Sequence, residues 1–368
     1  MTHEAGAPVA EPIRARIGAA EFDIHLGAGL LNTLGELWAP LAAGSKVLLV
    51  SDTNLAAHAA RAAGALERAG LAVIPATVAP GETSKTLAEV ERLSRLAAAA
   101  GLRRADAVVA LGGGVVGDLA GFVAASYQRG VRLVHVPTTL LAMVDSAIGG
   151  KTGVDIPEGK NYVGAIWQPE MVVMDMETLR TLPARELSCG FAEVIKYGLL
   201  DGTPLFERVE AWPELPGPGD ELAELIRLCI EHKLRVVAAD ERDLGIRASL
   251  NLGHTVGHGI EAAAGYDRYR HGEAISLGLL AALRIAEREC GLDPAWRERT
   301  RTVIARHHLP VTLDPAVPTD AIVAAMGRDK KASAGGLNMV GVGAPGDVRL
   351  GVNPDPGDVV AAIEELRQ

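Results

Sequence analysis

The stretch from Asp106 to Asn161 constrains the fold more than any other part of this chain. It opens with the apolar run DAVVAL, passes through the glycines 112–114, and continues as VVGDLAGFVAASY with apolar residues at helical spacing. A second β run, VRLVHVP, follows. This order predicts strand, glycine turn, helix and strand, which is the repeating unit of a parallel sheet covered by helices.

The glycine turn is a candidate site for an anionic group. Glycine lets the backbone approach a ligand, and free N–H groups at the start of the next helix favour a group such as pyrophosphate. The spacing Gly112-x-Gly114-x-x-Gly117 fits the dinucleotide fingerprint, but the acidic residue expected about 20 positions later is absent. A purely structural turn therefore stays open, and Asp52 and Asn54, after the run KVLLVS, are better candidates for a ribose contact.

The same stretch ends in a dense group of charges among glycines, GGKTGVDIPEGKN. A solvated loop is the simpler interpretation. Against it, Asp145 and Lys151 flank apolar and glycine-rich sequence, where a charge is costly unless it is paired or binds a ligand. The polar pair Thr138 and Thr139 follows a β run, at the kind of edge where open α/β sheets bind ligands.

The composition narrows the function classes. With 368 residues, of which 48% are hydrophobic and 22% charged, the chain is globular and has enough apolar material for two cores. A net charge of −10 argues against a nucleic-acid partner.

Cys189, Cys229 and Cys290 lie far apart in the sequence, which excludes a disulfide framework or a zinc knuckle, and we interpret Cys189 as a buried inert thiol. The chain shows no signal-peptide pattern and no apolar run of about 18 residues, so we expect a cytoplasmic protein without a membrane span.

The pattern predicts two domains. Residues 12–185 alternate β runs with helical segments, which predicts an α/β domain with a Rossmann-like parallel sheet and helices on both faces. After Pro183 helical periodicity dominates, and residues 186–368 are expected to form an all-α-rich domain. Residues 1–11 are expected to be a flexible tail.

The second domain contains the most specific chemistry. In RASLNLGHTVGHGIE, the polar residues are spaced by four, three, four and three, which predicts one stripe of a single helix. A solvated stripe would favour Lys and Glu over two imidazoles among Leu, Val and Ile, so a ligand or catalytic role is favoured. The residues of this stripe are Arg247, Asn251, His254, His258 and Glu261.

Two further segments supply matching side chains. His271 opens the next helical segment, RHGEAIS, and Glu193 and Lys196 share a helix face in GFAEVIKYG. Two imidazoles and a carboxylate from three segments would form a three-ligand site with open positions, as catalytic zinc sites do. Because spacing does not show that distant residues meet, the alternative that they serve separate roles stays equally open.

Several motifs together carry a family resemblance. In order, they are GGGVVGD, ASYQRG, VPTTLLAMVDSAIGGKT, GKN, GFAEVIKYG, NLGHTVGH with IE after it, HGEA and RDKK. From roughly Asp52 to Lys331 the chain resembles the 3-dehydroquinate synthase family of the sugar-phosphate cyclase superfamily. The resemblance implies a dehydroquinate synthase-like fold and a homodimeric lyase that depends on NAD and on one divalent metal, zinc or cobalt.

The reaction implied by the resemblance belongs to the shikimate pathway. It converts 3-deoxy-D-arabino-heptulosonate 7-phosphate to 3-dehydroquinate and phosphate. The implied steps are transient oxidation by NAD, β-elimination of phosphate, re-reduction and an intramolecular aldol closure.

The resemblance also assigns residues to roles. It implies metal ligation by Glu193, His254 and His271. It places NAD against Asp52, Asn54, Gly81, Glu82, Lys85, Gly114, Val115, Val116, Gly117, Asp118, Thr138, Thr139, Lys151, Lys160, Thr178, Leu179 and Thr181. It assigns the substrate to Asp145, Lys151, Lys160, Asn161, Lys196, Arg247, Asn251, His258 and one of Lys330 or Lys331, with Arg129 reaching the phosphate of the neighbouring subunit's substrate. His258 is the candidate for moving protons.

Two other functions stay open. Other sugar-phosphate cyclases, such as amino-dehydroquinate or valiolone-type synthases, share the cofactor and metal sites, although Arg247, Asn251 and His258 match the dehydroquinate type. Metal-dependent polyol dehydrogenases of the glycerol dehydrogenase type share a similar fold and a GGG turn. They would release NADH, and they lack the lysines of GGKT and GKN. A non-catalytic binding module is disfavoured, because it would not need metal-type and phosphate-type residues together.

Overall fold

A computed structural model describes residues 11–41, 44–214, 217–265, 268–329 and 337–368. Its described residues divide into two compact units. The first holds the chain up to Leu182 together with Gly217–Ile230, and the second holds Pro183–Pro216 and Glu231–Gln368. The boundary expected after residue 185 lies slightly beyond this division, and no sequence feature indicated that Gly217–Ile230 groups with the first unit.

The first unit alternates strands and helices. Its strands are β1 (Ile13–Ile17), β2 (Ala20–Gly27), β3 (Lys46–Asp52), β4 (Ala72–Val78), β5 (Ala107–Gly112), β6 (Arg132–Pro137), β7 (Lys151–Ile156), β8 (Gly159–Ile166) and β9 (Met171–Asp175). Its α-helices are α1 (Leu34–Trp38), α2 (Ala56–Arg68), α3 (Leu87–Ala99) and α4 (Gly114–Ser126). Within the described residues, a seven-stranded sheet has the order β1-β2-β9-β6-β5-β3-β4, and β7 and β8 form a separate hairpin. Among the pairings described for this sheet, β1–β2 is antiparallel and the others are parallel.

Both faces of the parallel sheet are covered, as the sequence predicted. Side chains alternate along β3, so that Leu48 and Val50 pack with residues of α3 and α4, whereas Val47 and Leu49 pack with residues of α1 and α2. Strands buried on both faces have continuous apolar sequences, which explains the uninterrupted run in β5.

The strand order contains a topological switch point. From β3 the chain first adds β4 on one side and then β5 on the other. Open α/β sheets bind ligands in the crevice outside the carboxyl ends of the strands at such a point. Asp52 ends β3 and Gly112 ends β5, so both lie at this crevice.

The second unit is mainly helical, and α7 (Asp220–Ala239) runs into it from residues grouped with the first. Its other helices are α5 (Ala184–Asp201), α6 (Thr203–Glu210), α8 (His254–Ala263), α9 (His271–Glu289), α10 (Pro294–Arg306), α11 (Thr319–Asp329) and α12 (Pro356–Glu365). Strands β10 (Met339–Val342) and β11 (Val348–Val352) form an antiparallel pair. In the described part of the chain, no helix is both long and apolar enough to cross a membrane.

The prediction of one continuous helix from Arg247 to Glu261 was wrong. Residues Ile246–Asn251 form a 3₁₀ helix, and α8 begins only at His254. Gly253 between them has a φ of 78°, in the left-handed region that favours glycine, and this interrupts the helical path. His254, His258 and Glu261 do share one face of α8, but Arg247 and Asn251 lie outside that helix.

Candidate metal centre and nucleotide-binding edge

Three side chains from separate helices of the second unit converge. Glu193 lies in the middle of α5, in a run buried from Ser188 to Leu200, while His254 and His271 are the first residues of α8 and α9. Nε2 of His254 and Nε2 of His271 each lie 3.4 Å from Oε1 of Glu193. The ligand-type atoms of the three residues all lie within 4.8 Å of one another.

This geometry fits a divalent cation. In a tetrahedral zinc site, ligand atoms about 2 Å from the ion lie about 3.3 Å from each other. The two histidine-to-carboxylate distances of 3.4 Å match that spacing. One carboxylate and two imidazoles leave coordination positions for water or substrate, which is the pattern of a catalytic site.

The second nitrogen of each imidazole also has a partner. Nδ1 of His254 donates to the carbonyl oxygen of Leu252 at 3.2 Å, and Nδ1 of His271 lies 3.4 Å from Oε2 of Glu261. A carbonyl oxygen can only accept, so the Nδ1 proton of His254 leaves a lone pair on the Nε2 that faces Glu193. Both rings are therefore oriented for ligation through Nε2.

The two imidazoles differ in basicity. Burial, and next the positive charge of Lys196, lower the pKa of His254 to about 3, so its ring is neutral. Burial also opposes protonation of His271, but its hydrogen bonds to Glu193 and Glu261 outweigh that effect and raise its pKa to about 9. A cation at Nε2 of His271 must therefore replace a proton at neutral pH.

Lys196 contacts the same carboxylate from the other side. Its Nζ forms an ion pair with Oε2 of Glu193, and the side chains of Lys196 and Glu193 are 1% and 0% exposed. The predicted helix face that both share in α5 is therefore present. The cluster thus has a buried positive charge next to the cation position.

His258 completes the group of imidazoles. Its ring centroid lies 5.2 Å from that of His254 and 5.8 Å from that of His271, and the side chain is half-buried. Ligand-type atoms of His258, Glu261 and His271 also lie within 4.8 Å of one another. Partial exposure beside the cation position suits a residue that exchanges protons with solvent or substrate.

Arg247 and Asn251 of the predicted stripe lie outside α8, in the 3₁₀ helix Ile246–Asn251. Arg247 is buried, and its Nη1 donates to the carbonyl oxygen of Glu241 at 2.6 Å. Its backbone N–H donates to the carboxylate of Asp240 at 3.1 Å. Asn251 is exposed at the end of the same 3₁₀ segment.

The sequence motifs did not indicate Lys233, a further buried cation of the second unit. Lys233 of α7 is 5% exposed, and it lies four residues after buried Cys229 and four before buried Val237. A lysine on the apolar stripe of a helix is unusual, since a buried ammonium group is costly without compensation. Its position on the apolar stripe of α7 is the sequence feature that could have identified this lysine.

Most of the residues assigned to NAD in the first unit lie at or after the carboxyl ends of the parallel strands, whereas Lys151 and Lys160 lie on the β7–β8 hairpin. Thr138 follows β6 and its N–H donates to the carbonyl oxygen of Gly112 at 3.0 Å, while Thr139 caps the next turn through its hydroxyl group. The other members follow β3, β4, β5 and β9: Asp52 and Asn54; Gly81, Glu82 and Lys85; Gly114, Val115, Val116, Gly117 and Asp118; and Thr178, Leu179 and Thr181. A bound nucleotide at this edge would meet the N-terminus of α4.

Lys85 forms ion pairs with two carboxylates at this edge. Its Nζ lies 2.6 Å from Oδ2 of Asp118 and 3.6 Å from Oε1 of Glu82, and its side chain is 4% exposed. Burial raises the pKa of Asp118 although Lys85 opposes that change. Despite burial, the charges of Asp118 and Glu82 raise the pKa of Lys85, which stays protonated.

The β7–β8 hairpin carries the lysines of the GGKT and GKN motifs. Lys151 is exposed at the start of β7, and Lys160 and Asn161 lie on β8. Asn161 has a φ of 57°, and its N–H donates to Oδ1 of Asp155 at 2.8 Å. Asp145 lies in a π-helical turn, Ala142–Ser146, between β6 and β7.

Arg129 lies in the first unit, outside the described sheet and the β7–β8 hairpin. Arg129 is exposed, with a φ of 64°, in a tight turn after α4 that also has Gln128 in the left-handed region. A left-handed backbone at residues other than glycine carries a conformational cost. Lys330 and Lys331 lie outside the described residues.

The family models match most of the chain. A model described as 3-dehydroquinate synthase N-terminal matches residues 75–189, and one described as 3-dehydroquinate synthase C-terminal matches residues 190–332. The chain is also similar to a 3-dehydroquinate synthase of Caulobacter vibrioides. The two are 44% identical over 359 residues, which cover 95% of this chain and 97% of the relative.

Two solved structures extend the comparison. A 2-deoxy-scyllo-inosose synthase complexed with carbaglucose-6-phosphate, NAD⁺ and Co²⁺ has a TM-score of 0.88 and 26% identity, covering 96% of this chain and 99% of that one. The 2-epi-5-epi-valiolone synthase ValA of Streptomyces hygroscopicus subsp. jinggangensis, with NAD⁺ and Zn²⁺ bound, has a TM-score of 0.84 and 27% identity, covering 96% and 98%.

Proposed function

The chain belongs to the 3-dehydroquinate synthase family, and on that premise we propose that it converts 3-deoxy-D-arabino-heptulosonate 7-phosphate to 3-dehydroquinate and phosphate. The observation that carries the proposal is the convergence of Glu193, His254 and His271 at zinc-type spacing in the second unit. A lyase of this family needs such a cluster together with a nucleotide site, and the first unit offers the latter at its switch point.

The proposed cofactors are NAD and one divalent cation, zinc or cobalt. NAD would lie at the carboxyl edge of the first unit's sheet, and the cation would be held by the three-residue cluster. When bound, the cation supplies Lewis acidity to substrate hydroxyl groups, and the nicotinamide supplies a reversible hydride acceptor. Two structural neighbours that carry NAD⁺ with Co²⁺ or Zn²⁺ support this assignment.

The substrate carries a carboxylate and a phosphate, so an acidic protein must concentrate cations locally. Charge-assisted donors hold such groups, and guanidinium groups bind them in a fixed geometry. The candidates in the second unit are Lys196, Arg247 and the buried Lys233, with Asn251 as an uncharged donor and acceptor. The candidates in the first unit are Lys151, Lys160, Asn161 and Asp145. One of Lys330 or Lys331 is proposed to join them.

Arg129 is proposed to act on a second subunit. Its exposed position on a strained turn suits a contact outside its own chain, in a homodimer. His258 is proposed to move protons at the substrate oxygens, because it is half-buried and adjacent to both liganding imidazoles.

The closely related cyclases are less well supported as alternatives. Identity is 44% to the 3-dehydroquinate synthase and 26% or 27% to the inosose and valiolone synthases. Arg247, Asn251 and His258 are also the residues expected for the dehydroquinate reaction.

A direct assay tests the proposal. The purified protein, loaded with Co²⁺ or Zn²⁺, is incubated with NAD and the heptulosonate phosphate, and inorganic phosphate and the absorbance of NADH are followed together. We expect stoichiometric phosphate release without growth of NADH, since NAD is regenerated in each turnover. Steady accumulation of NADH would instead identify a polyol dehydrogenase. Equal or faster turnover of sedoheptulose 7-phosphate or glucose 6-phosphate would identify another cyclase.

A further inference from the structure

We infer that Glu261 is a positioning residue for His271: its carboxylate fixes the imidazole so that Nε2 faces the cation position. The inference rests on the proposed function, because it assigns Glu261 a role toward the cation of that function. It concerns a residue that does not itself belong to the three-ligand set.

The carboxylate and the ring meet across two helices. Glu261 lies two helical turns after His254 on the same face of α8, and its Oε2 lies 3.4 Å from Nδ1 of His271 at the start of α9. The opposite ring nitrogen, Nε2, lies 3.4 Å from Oε1 of Glu193. The ring is therefore held at both nitrogens, and only one of the two carboxylates belongs to the proposed ligand set.

Burial makes this contact effective. Glu261 is 7% exposed, so it remains close to the ring with little competition from water. A carboxylate at Nδ1 keeps the proton on that nitrogen and leaves the Nε2 lone pair for ligation. Rotation of the ring by half a turn would place a carbon atom opposite Glu261 and lose this bond.

The other imidazole has a different acceptor. Nδ1 of His254 is oriented by the backbone carbonyl of Leu252, which no substitution can delete. Helix α8 thus supplies one ligand, His254, and the orienting group of another, His271. Of these two imidazoles, only that of His271 has its Nδ1 bonded to a side chain. The contribution of that bond can therefore be measured by substitution of Glu261.

The test uses the full-length protein, stripped of metal by a chelator. Wild type, Glu261→Gln and Glu261→Ala are titrated with Co²⁺ alone, and with Zn²⁺ against a chromophoric chelator, while the visible absorption of bound Co²⁺ is recorded. Glu287→Gln is the matched control: it removes the charge of a half-buried carboxylate, on α9, that pairs with Arg297 at 2.6 Å. Near-UV circular dichroism establishes that each variant is folded.

We expect Glu261→Gln to weaken Co²⁺ and Zn²⁺ binding about 10-fold and Glu261→Ala up to about 100-fold, the range measured when orienting partners are removed. The Co²⁺ spectrum should change in both, whereas Glu287→Gln should bind as wild type does. If Glu261→Ala fails to fold, Glu261→Gln decides, since it preserves the shape of the side chain.

Three outcomes separate the possibilities. Wild-type affinity and an unchanged Co²⁺ spectrum in Glu261→Gln would overturn the inference. A lower Tm with unchanged affinity would also overturn it, because a merely structural residue moves only stability. Failure of the wild-type protein to bind Co²⁺ or Zn²⁺ would refute the proposed metal site itself, and so the proposed function, before Glu261 is considered.

Discussion

Gly272 lies so close to Cys189 that a Cβ atom on it would fall 2.2 Å from the Cys189 carbonyl oxygen and 2.5 Å from its Cα. Helices α5 and α9 therefore meet through their backbones beside His271. Arg185 joins the same two helices through paired bonds to Glu273, of 2.6 and 2.8 Å. His271, the residue before Gly272, lies 3.4 Å from Glu193 of α5, so we expect its approach to Glu193 to depend on this close contact.

Gly272→Ala should push α9 away from α5 and disrupt the metal cluster. Backbone atoms cannot yield as a flexible side chain can, so we expect a loss of about 1–3 kcal/mol in the free energy of unfolding. We also expect weaker Co²⁺ binding. Denaturant unfolding and metal titration measure the two effects. Gly327→Ala is the control, because a Cβ there meets nothing within 4 Å, and it should be neutral or stabilising. Unchanged Co²⁺ affinity in folded Gly272→Ala would contradict this account.

His271→Ala should abolish stoichiometric binding of zinc or cobalt. The variant keeps one carboxylate and one imidazole, which is fewer than the three protein ligands of catalytic zinc sites. Metal content after dialysis, measured by atomic emission, tests this directly. His308→Ala removes an exposed imidazole from the same unit and should retain the metal. Full metal content in His271→Ala would end the assignment of this residue as a ligand.

The sequence predicted the local parts of the proposed metal site. The spacing of His254, His258 and Glu261 placed them on one helix face, and that face is present in α8. The same spacing also included Arg247 and Asn251, which the structure places in a separate 3₁₀ segment. Sequence spacing at intervals of three and four does not reveal a single left-handed residue such as Gly253, because one interruption of the helix hardly changes the spacing.

Periodicity did not predict which residues from distant segments of the chain would meet. Glu193 and His271 are far apart in sequence, and their meeting depends on the tertiary packing of α5 against α9, which the motif resemblance alone suggested. The role of Glu261 was missed for the same reason, since its partner lies on another helix. By contrast, the strand and glycine turn at Gly112 were predictable, because each is determined by a few adjacent residues.

Lys85→Met should weaken NAD binding and destabilise the first unit. It removes the buried cation that pairs with Asp118, and leaves that carboxylate near Glu82 at the edge where NAD is proposed to bind. Breaking a buried pair by removing one partner costs about 3–5 kcal/mol. Calorimetric titration with NAD and thermal unfolding give both readouts.

A second substitution separates charge from contact. Lys85→Met combined with Asp118→Asn should recover most of the lost stability, because no unpaired carboxylate remains at the position of Asp118. Arg95→Ala, which breaks an exposed pair with Glu91 on α3, is the control and should change neither quantity. Wild-type NAD affinity in Lys85→Met would remove this residue from the proposed nucleotide site.

His307 should make the protein less stable in mild acid. The ring is fully buried and stacks on Phe191 with centroids 4.0 Å apart, and within the described residues neither ring nitrogen has a hydrogen-bond partner. Burial, and next the charge of Arg306, lower its pKa to about 4. Between about pH 6.5 and pH 4 the unfolded chain therefore binds more protons than the folded chain at this residue, and stability falls as pH falls through that window.

His307→Phe should remove this dependence, because the ring that replaces the imidazole does not titrate. From about pH 7.5 to pH 5, the wild-type protein should lose about 2 kcal/mol more of its free energy of unfolding than the variant does. Denaturant unfolding at the two pH values measures the difference, with His307→Leu as a smaller replacement if Phe overpacks the site. His308→Ala, at an exposed neighbouring position, should retain the wild-type dependence. Equal pH dependence in wild type and both His307 variants would show that this buried ring does not control acid stability.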